Sequence, residues 1–227
     1  MEWIIKGITW THVLAGFSSL IVFWIPVFTK KGGEAHRKAG KIYVALMWAV
    51  VISAFLLCIN NLSIARYSSA AFLGFLSLIT GNVLWYGIAI LKNKKGLSSQ
   101  FRRIQLLLQG AIVLASSLLI FYGIWLEGHS TAILMFVFGG LGLTDLPKFI
   151  KNLKGSKSDS WLKTHIVGMC TSGIAAYTAF FVFGGRVLFK GLFVGYWSVV
   201  PWIAPGIVGG MIIYLMVRRF DKKKPIT

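Results

Sequence analysis

The chain has 227 residues, of which 56% are apolar and only 13% charged, with a mean hydropathy of +0.75. Soluble domains carry about a quarter charged residues, so this composition excludes an ordinary water-soluble fold and calls for lipid as the solvent. The net charge of +18 does not argue for nucleic acid, because the basic residues fall in short clusters between long apolar runs and form no contiguous stripe.

In chain order, seven stretches are long enough, at roughly 20 residues each, to cross a hydrocarbon layer ~30 Å thick. They lie at about 8–28, 42–60, 67–91, 104–125, 131–150, 162–184 and 197–217. Spanning backbone must satisfy its own hydrogen bonds, and continuous apolar runs without strict alternation select helices over barrel strands. The expected fold is therefore all-α, a polytopic membrane protein with one seven-helix transmembrane domain. The first run is too long for a secretory signal, lacks a basic lead and is not followed by a small-residue cleavage site, so it should stay in the mature chain.

Basic residues in the connections give the orientation, since an excess of Lys and Arg stays on the cytoplasmic side. Only Lys6, Arg66, Arg186 and Lys190 of the 24 fall on one side; the other twenty cluster around 30–41, 92–103, 148–163 and 218–224. Every alternate connection agrees, which predicts an outer N-terminus and a cytoplasmic C-terminus. Trp3, Trp10, Trp125, Trp161, Tyr196 and Trp197 sit near proposed helix ends, where amphipathic rings anchor to the interface. The apolar connection Gly185–Gly195 reads equally well as an interfacial turn or as an ordinary short loop.

Small residues mark where helices approach closely in lipid. Gly168, Ser172 and Ala176 form one such ridge and Gly206 with Gly210 another, while Gly139, Gly140 and Gly142 soften the fifth span. Pro147 helps to end the fifth span, and Pro201 and Pro205 suit the first turn of the seventh. Cys58 and Cys170 have neither metal spacing nor a disulfide framework and read as small core residues.

Ionisable groups at membrane depth are the default site candidates. Asp145 is the only carboxylate inside a proposed span; a structural role, paired with Lys148, is as well supported as a functional one. His12 and His129, with Glu127 beside the latter, fall on the outer side; His36 and His165 start inside-to-outside helices. Two and two is the arrangement that stacked haems or two metal sites require, because imidazole ligates both. At the inner pair a glycine follows each histidine by one turn, Gly40 after His36-Arg37 and Gly168 before Met169. Each lets a flat ligand, a lipid head group or a second helix come close. Taken singly, each histidine reads first as an interfacial residue bonded to loop backbone and only second as a ligand. No phosphate-cradling loop, no HExxH and no mid-membrane lysine in the last helix for a retinal Schiff base is present.

His36-Arg37-x-x-Gly40-x-x-Tyr43 with Met47, and His165-x-x-x-Met169 followed by Ala175-Ala176-Tyr177-Thr178-Ala179-Phe180, resemble the helix starts of a family of uncharacterised bacterial membrane proteins. The resemblance covers about half of the chain and implies an inner-membrane protein without supplying an activity. More distantly, paired histidines on a helical bundle are similar to transmembrane di-haem cytochromes, from which this chain departs in the interfacial placement of His36 and His129.

Three readings follow. The first is a redox-related site for haem b or a divalent metal, built from His36 and His165 with Asp145 as ligand or supporting partner and Arg37, Gly40, Gly168 and Met169 around it. The second is a small carrier or channel with Asp145, Asn82 and Gln109 on a polar path. The third is a non-catalytic subunit or assembly factor whose basic loops hold anionic lipid head groups. The expected partners are the bilayer, such head groups, and a second copy or another membrane protein.

Overall fold

The computed structural model describes residues 2–126, 130–154, 160–185, 191, 197 and 200–221. Its helices are α1 (Glu2–Phe28), α2 (Glu34–Ser63), α3 (Tyr67–Ala89), α4 (Ser99–Trp125), α5 (Ser130–Leu143), α6 (Leu146–Leu153), α7 (Trp161–Ala179) and α8 (Val200–Asp221). A 3-10 turn over Ile90–Lys92 extends α3, and a π turn over Phe180–Gly184 extends α7. Among the described residues, seven helical segments are long and apolar enough to cross a membrane, with α5 and α6 together forming the fifth. Large apolar side chains such as Phe17, Leu107, Phe121 and Ile207 are exposed on the helices, as befits a protein that contacts lipid.

Two spans begin earlier than their apolar runs. α1 starts at Glu2, where Lys6 pairs with Glu2 at 2.7 Å, and α2 at Glu34, where Lys38 pairs with Glu34 at 2.8 Å. An i,i+4 pair of opposite charges supports helix beyond the hydrocarbon. The fifth span breaks at Thr144–Asp145, because Pro147 in the first turn of α6 donates no backbone hydrogen bond. Two tight turns use the left-handed region, Gly32 at φ 74° between α1 and α2, and Ala65 at φ 57° after α2. At the latter, Arg66 N–H donates to the Asn61 carbonyl at 2.8 Å, the six-to-one bond of a Schellman cap.

The chain forms two compact units. Unit 1 comprises Met1–His12, Ala49–Asn82 and Lys92–Ser160; unit 2 comprises Val13–Trp48, Val83–Leu91 and Trp161–Thr227. In unit 1, α4 buries Phe101, Gln105, Gln109, Ile112, Ser116, Leu119 and Gly123, a stripe at helical spacing. A Cβ on Gly139 would stand 2.9 Å from the Ser116 carbonyl, and one on Gly142 would overlap the Ser116 hydroxyl. Glycine at both positions is what lets α5 lie against α4.

In unit 2, Tyr43, Met47 and Leu84 form a buried cluster, with Phe23, Trp48, Met169 and Ala176 packed against it. A Cβ on Gly168 would sit 2.7 Å from the Gly87 Cα, so α7 and the end of α3 meet glycine to glycine. The expected Gly206/Gly210 ridge of α8 is corrected: nothing lies within 4 Å of a Cβ at either, and Gly209 is the glycine packed against Ile174. Cys58 and Cys170 are buried free thiols, one in each unit.

Candidate functional site

The inner histidines lie together in unit 2. The α1–α2 turn and the first turn of α2 place His36, and the first turn of α7 places His165; their ring centres are 6.5 Å apart and the planes cross at 67°. Each ring is oriented through Nδ1 by a main-chain carbonyl from another segment. His36 Nδ1 donates to the Pro26 carbonyl at 3.0 Å and His165 Nδ1 to the Gly87 carbonyl at 2.7 Å. A carbonyl can only accept, so Nδ1 of each ring carries a proton. This is the orientation that metal-binding histidines adopt, the second nitrogen fixed by an acceptor outside the coordination sphere.

Local sequence explains both acceptors. α1 ends near Pro26 with unpaired terminal carbonyls, and the α1–α2 turn folds Lys31 and His36 back over them. Lys31 Nζ donates to the Pro26 carbonyl at 2.8 Å and also to that of Val27. A cation there complements the negative end of the helix. Burial lowers the pKa of the Lys31 ammonium, an effect that the neighbouring Cys170 thiol opposes. The Gly87 carbonyl is within reach because Gly87 and Gly168 allow their helices to touch.

The glycines of the two motifs do different things. Gly168 is filled by helix α3, the second-helix option for that position, whereas a Cβ on Gly40 would meet nothing within 4 Å. Met169 packs into the Tyr43–Met47–Leu84 core, and the Arg37 side chain is exposed. One turn beyond Gly168, Ser172 donates to the Met169 carbonyl at 2.7 Å and receives the Tyr43 hydroxyl at 2.8 Å. Trp24 Nε1 donates to the Tyr177 hydroxyl at 2.6 Å, which in turn donates to the Leu20 carbonyl at 2.8 Å. Beside this chain lies an apolar cavity of about 360 Å³, walled by residues of α1, α7 and α8 that include Trp24, Cys170, Tyr177 and Ala204.

The remaining candidates lie elsewhere. Asp145 belongs to unit 1, where it precedes α6 and pairs with Lys148 at 3.1 Å. His12 is also in unit 1, its Nδ1 2.9 Å from the Ser53 hydroxyl and 3.2 Å from the Val50 carbonyl. His129 and Glu127 lie outside the described residues, as do Arg186 and Lys190. Among the described residues no three His, Cys, Asp or Glu side chains gather where a metal ion could sit.

Unit 1 also holds three buried side-chain amides, Asn82, Gln105 and Gln109, of which the sequence singles out Asn82 and Gln109. Ser68 and Tyr122 hydroxyls meet at 3.0 Å and set the register of antiparallel α3 and α4. At 1.5 Å per residue, Asn82 lies about 21 Å along α3 from that contact, and Gln109 and Gln105 lie about 20 and 25 Å along α4. All three amides thus sit at similar depth. Asn152 of α6 donates to Gln109 Oε1 at 2.9 Å, while Asn82 Oδ1 and Gln105 Oε1 are buried without a hydrogen-bond partner among the described residues. Gln105 carries a signal of its own, falling one turn before Gln109 on the same face of α4.

No family model, curated protein or solved structure matches this chain.

Proposed function

We propose that this chain is a multi-pass protein of the bacterial inner membrane, basic connections inside, that binds a redox-related transition-metal ion through Nε2 of His36 and His165. The observation that carries the reading is the pair of Nδ1–carbonyl bonds, which orient two imidazoles from different helices. An ion at about 2.0–2.1 Å from two imidazole nitrogens allows ring centres up to about 6.3 Å apart. The two ring centres here stand 6.5 Å apart. Imidazole ligands suit copper, zinc, iron or nickel. The helix packed over Gly168 leaves less room for a porphyrin face than for a bare ion, so the ion is favoured over haem b.

Elemental analysis of protein purified in mild detergent tests this. The expected result is about one ion per chain, lost in both His36→Ala and His165→Ala and retained in His12→Ala. Asp145→Asn should keep the ion, since Lys148 occupies that carboxylate. A Soret band would replace the ion by haem; neither metal nor haem in stoichiometric amount ends the proposal.

A second reading, a carrier for a small polar solute, is favoured by the orphaned amide oxygens of Asn82 and Gln105 within membrane-spanning helices. Transport sites are built from polar groups at membrane depth. Equal flux into liposomes for wild type and Asn82→Leu would remove this reading.

A further inference from the structure

Helix α6 closes the fifth span, and at about 100° per residue its side chains point in three directions. Phe149 and Asn152 face α4: a Cβ on Gly110 would stand 3.6 Å from the Phe149 ring, and Asn152 donates to Gln109 Oε1 at 2.9 Å. Next round the helix come Leu146, Ile150 and Leu153, which are 36%, 43% and 53% exposed and form an apolar ridge at i, i+4, i+7 spacing. Lys151 and Lys154 follow, exposed on the side away from α4.

Arg102, near the start of α4, reaches the same end of α6. Its Nη2 donates to the Asn152 carbonyl at 3.0 Å and to the Leu153 carbonyl at 3.3 Å, which fixes the guanidinium beside the last turn. A guanidinium carries five N–H donors, so bonds from one nitrogen to carbonyls leave it others for an anion. Three cations thus gather at this turn without a carboxylate among the described residues. The carboxylates with described side chains, Glu2, Glu34 and Asp145, pair with Lys6, Lys38 and Lys148. Position along the helix orders these features: the cations sit at the C-terminal turn, and the ridge runs back from Leu153 to Leu146, about 10 Å towards α5 and the rest of the span. Charge at the end and apolar surface along the span is the head-to-tail order of a phospholipid.

We infer that the C-terminal turn of α6 and the ridge beside it form a site for one acidic phospholipid, its phosphate on Lys151, Lys154 and Arg102 and an acyl chain along Leu153, Ile150 and Leu146. Apolar contact alone selects nothing in a bilayer, because lipid tails are as apolar as the ridge. The cations set the preference, since a zwitterionic head group brings an ammonium of its own and an acidic one does not. The site lies in unit 1 and uses neither inner histidine.

Titration of the protein in mild detergent with phosphatidylglycerol or phosphatidylcholine of identical chains, read by native mass spectrometry, tests the inference. The first phosphatidylglycerol should bind about tenfold more tightly than the first phosphatidylcholine. The double variant Lys151→Gln/Lys154→Gln should lose most of that preference. Lys92→Gln/Lys95→Gln, which removes the same charge from another exposed connection of unit 1, should keep it. Ile150→Asn, which makes the ridge polar, should weaken both lipids. Equal affinity for the two lipids, equal loss of preference in the two double variants, or displacement of phosphatidylglycerol by an equal concentration of glycerol 3-phosphate would overturn it.

Discussion

At the scale of single residues, the least comfortable atoms are Asn82 Oδ1 and Gln105 Oε1, buried acceptors that no described donor satisfies. Such an atom costs about 1–3 kcal/mol when nothing binds it. Asn82→Leu should therefore raise stability by roughly 1 kcal/mol, read as a higher midpoint of thermal denaturation in detergent. A lower midpoint would mean that water or a solute already occupies the amide. Tyr43→Phe should do the opposite, because it removes the donor to Ser172 at 2.8 Å. Hydrogen bonds inside membrane proteins average about 0.6 kcal/mol, and the loss should be of that order. The histidines, Asp145 and Asn82 were legible in the sequence because polar groups are rare in apolar runs. What was not legible is the acceptor each histidine uses, since Pro26 and Gly87 contribute only main-chain oxygens that any residue would supply.

At the scale of elements, the caps and close approaches are separable. Ala65 holds a left-handed turn that glycine adopts without penalty, so Ala65→Gly should stabilise the α2 end by about 0.5 kcal/mol. Ser98 caps α4 by accepting the Phe101 N–H at 3.1 Å, and Ser98→Ala should cost about 1 kcal/mol. Both are read by the same thermal denaturation. Gly168→Ala places a methyl 2.7 Å from the Gly87 Cα and should cost about 1–3 kcal/mol. Because that contact brings the Gly87 carbonyl to His165, the variant should also lower metal content. Apolar length located the spans well but missed the polar turns at Glu2 and Glu34, which continue the helix by charge pairing outside the hydrocarbon. Small-residue spacing was a weaker guide: it chose Gly206 and Gly210 on α8, where rotation about the helix axis puts Gly209 at the contact instead.

At the scale of the whole molecule, seven apolar helical segments among the described residues match the seven runs, whose basic connections alternate along the sequence. If that alternation reports orientation, a cysteine introduced at Lys95 should resist membrane-impermeant thiol reagents in intact cells, and one at Arg66 should react. Cys58 and Cys170 are buried and should stay silent in both experiments. The central claim is chemical, that Nε2 of His36 and Nε2 of His165 hold one ion. X-ray absorption at the edge of whichever metal copurifies tests it most directly. The account predicts multiple-scattering features of two imidazoles per metal; a metal with no imidazole neighbours would contradict it.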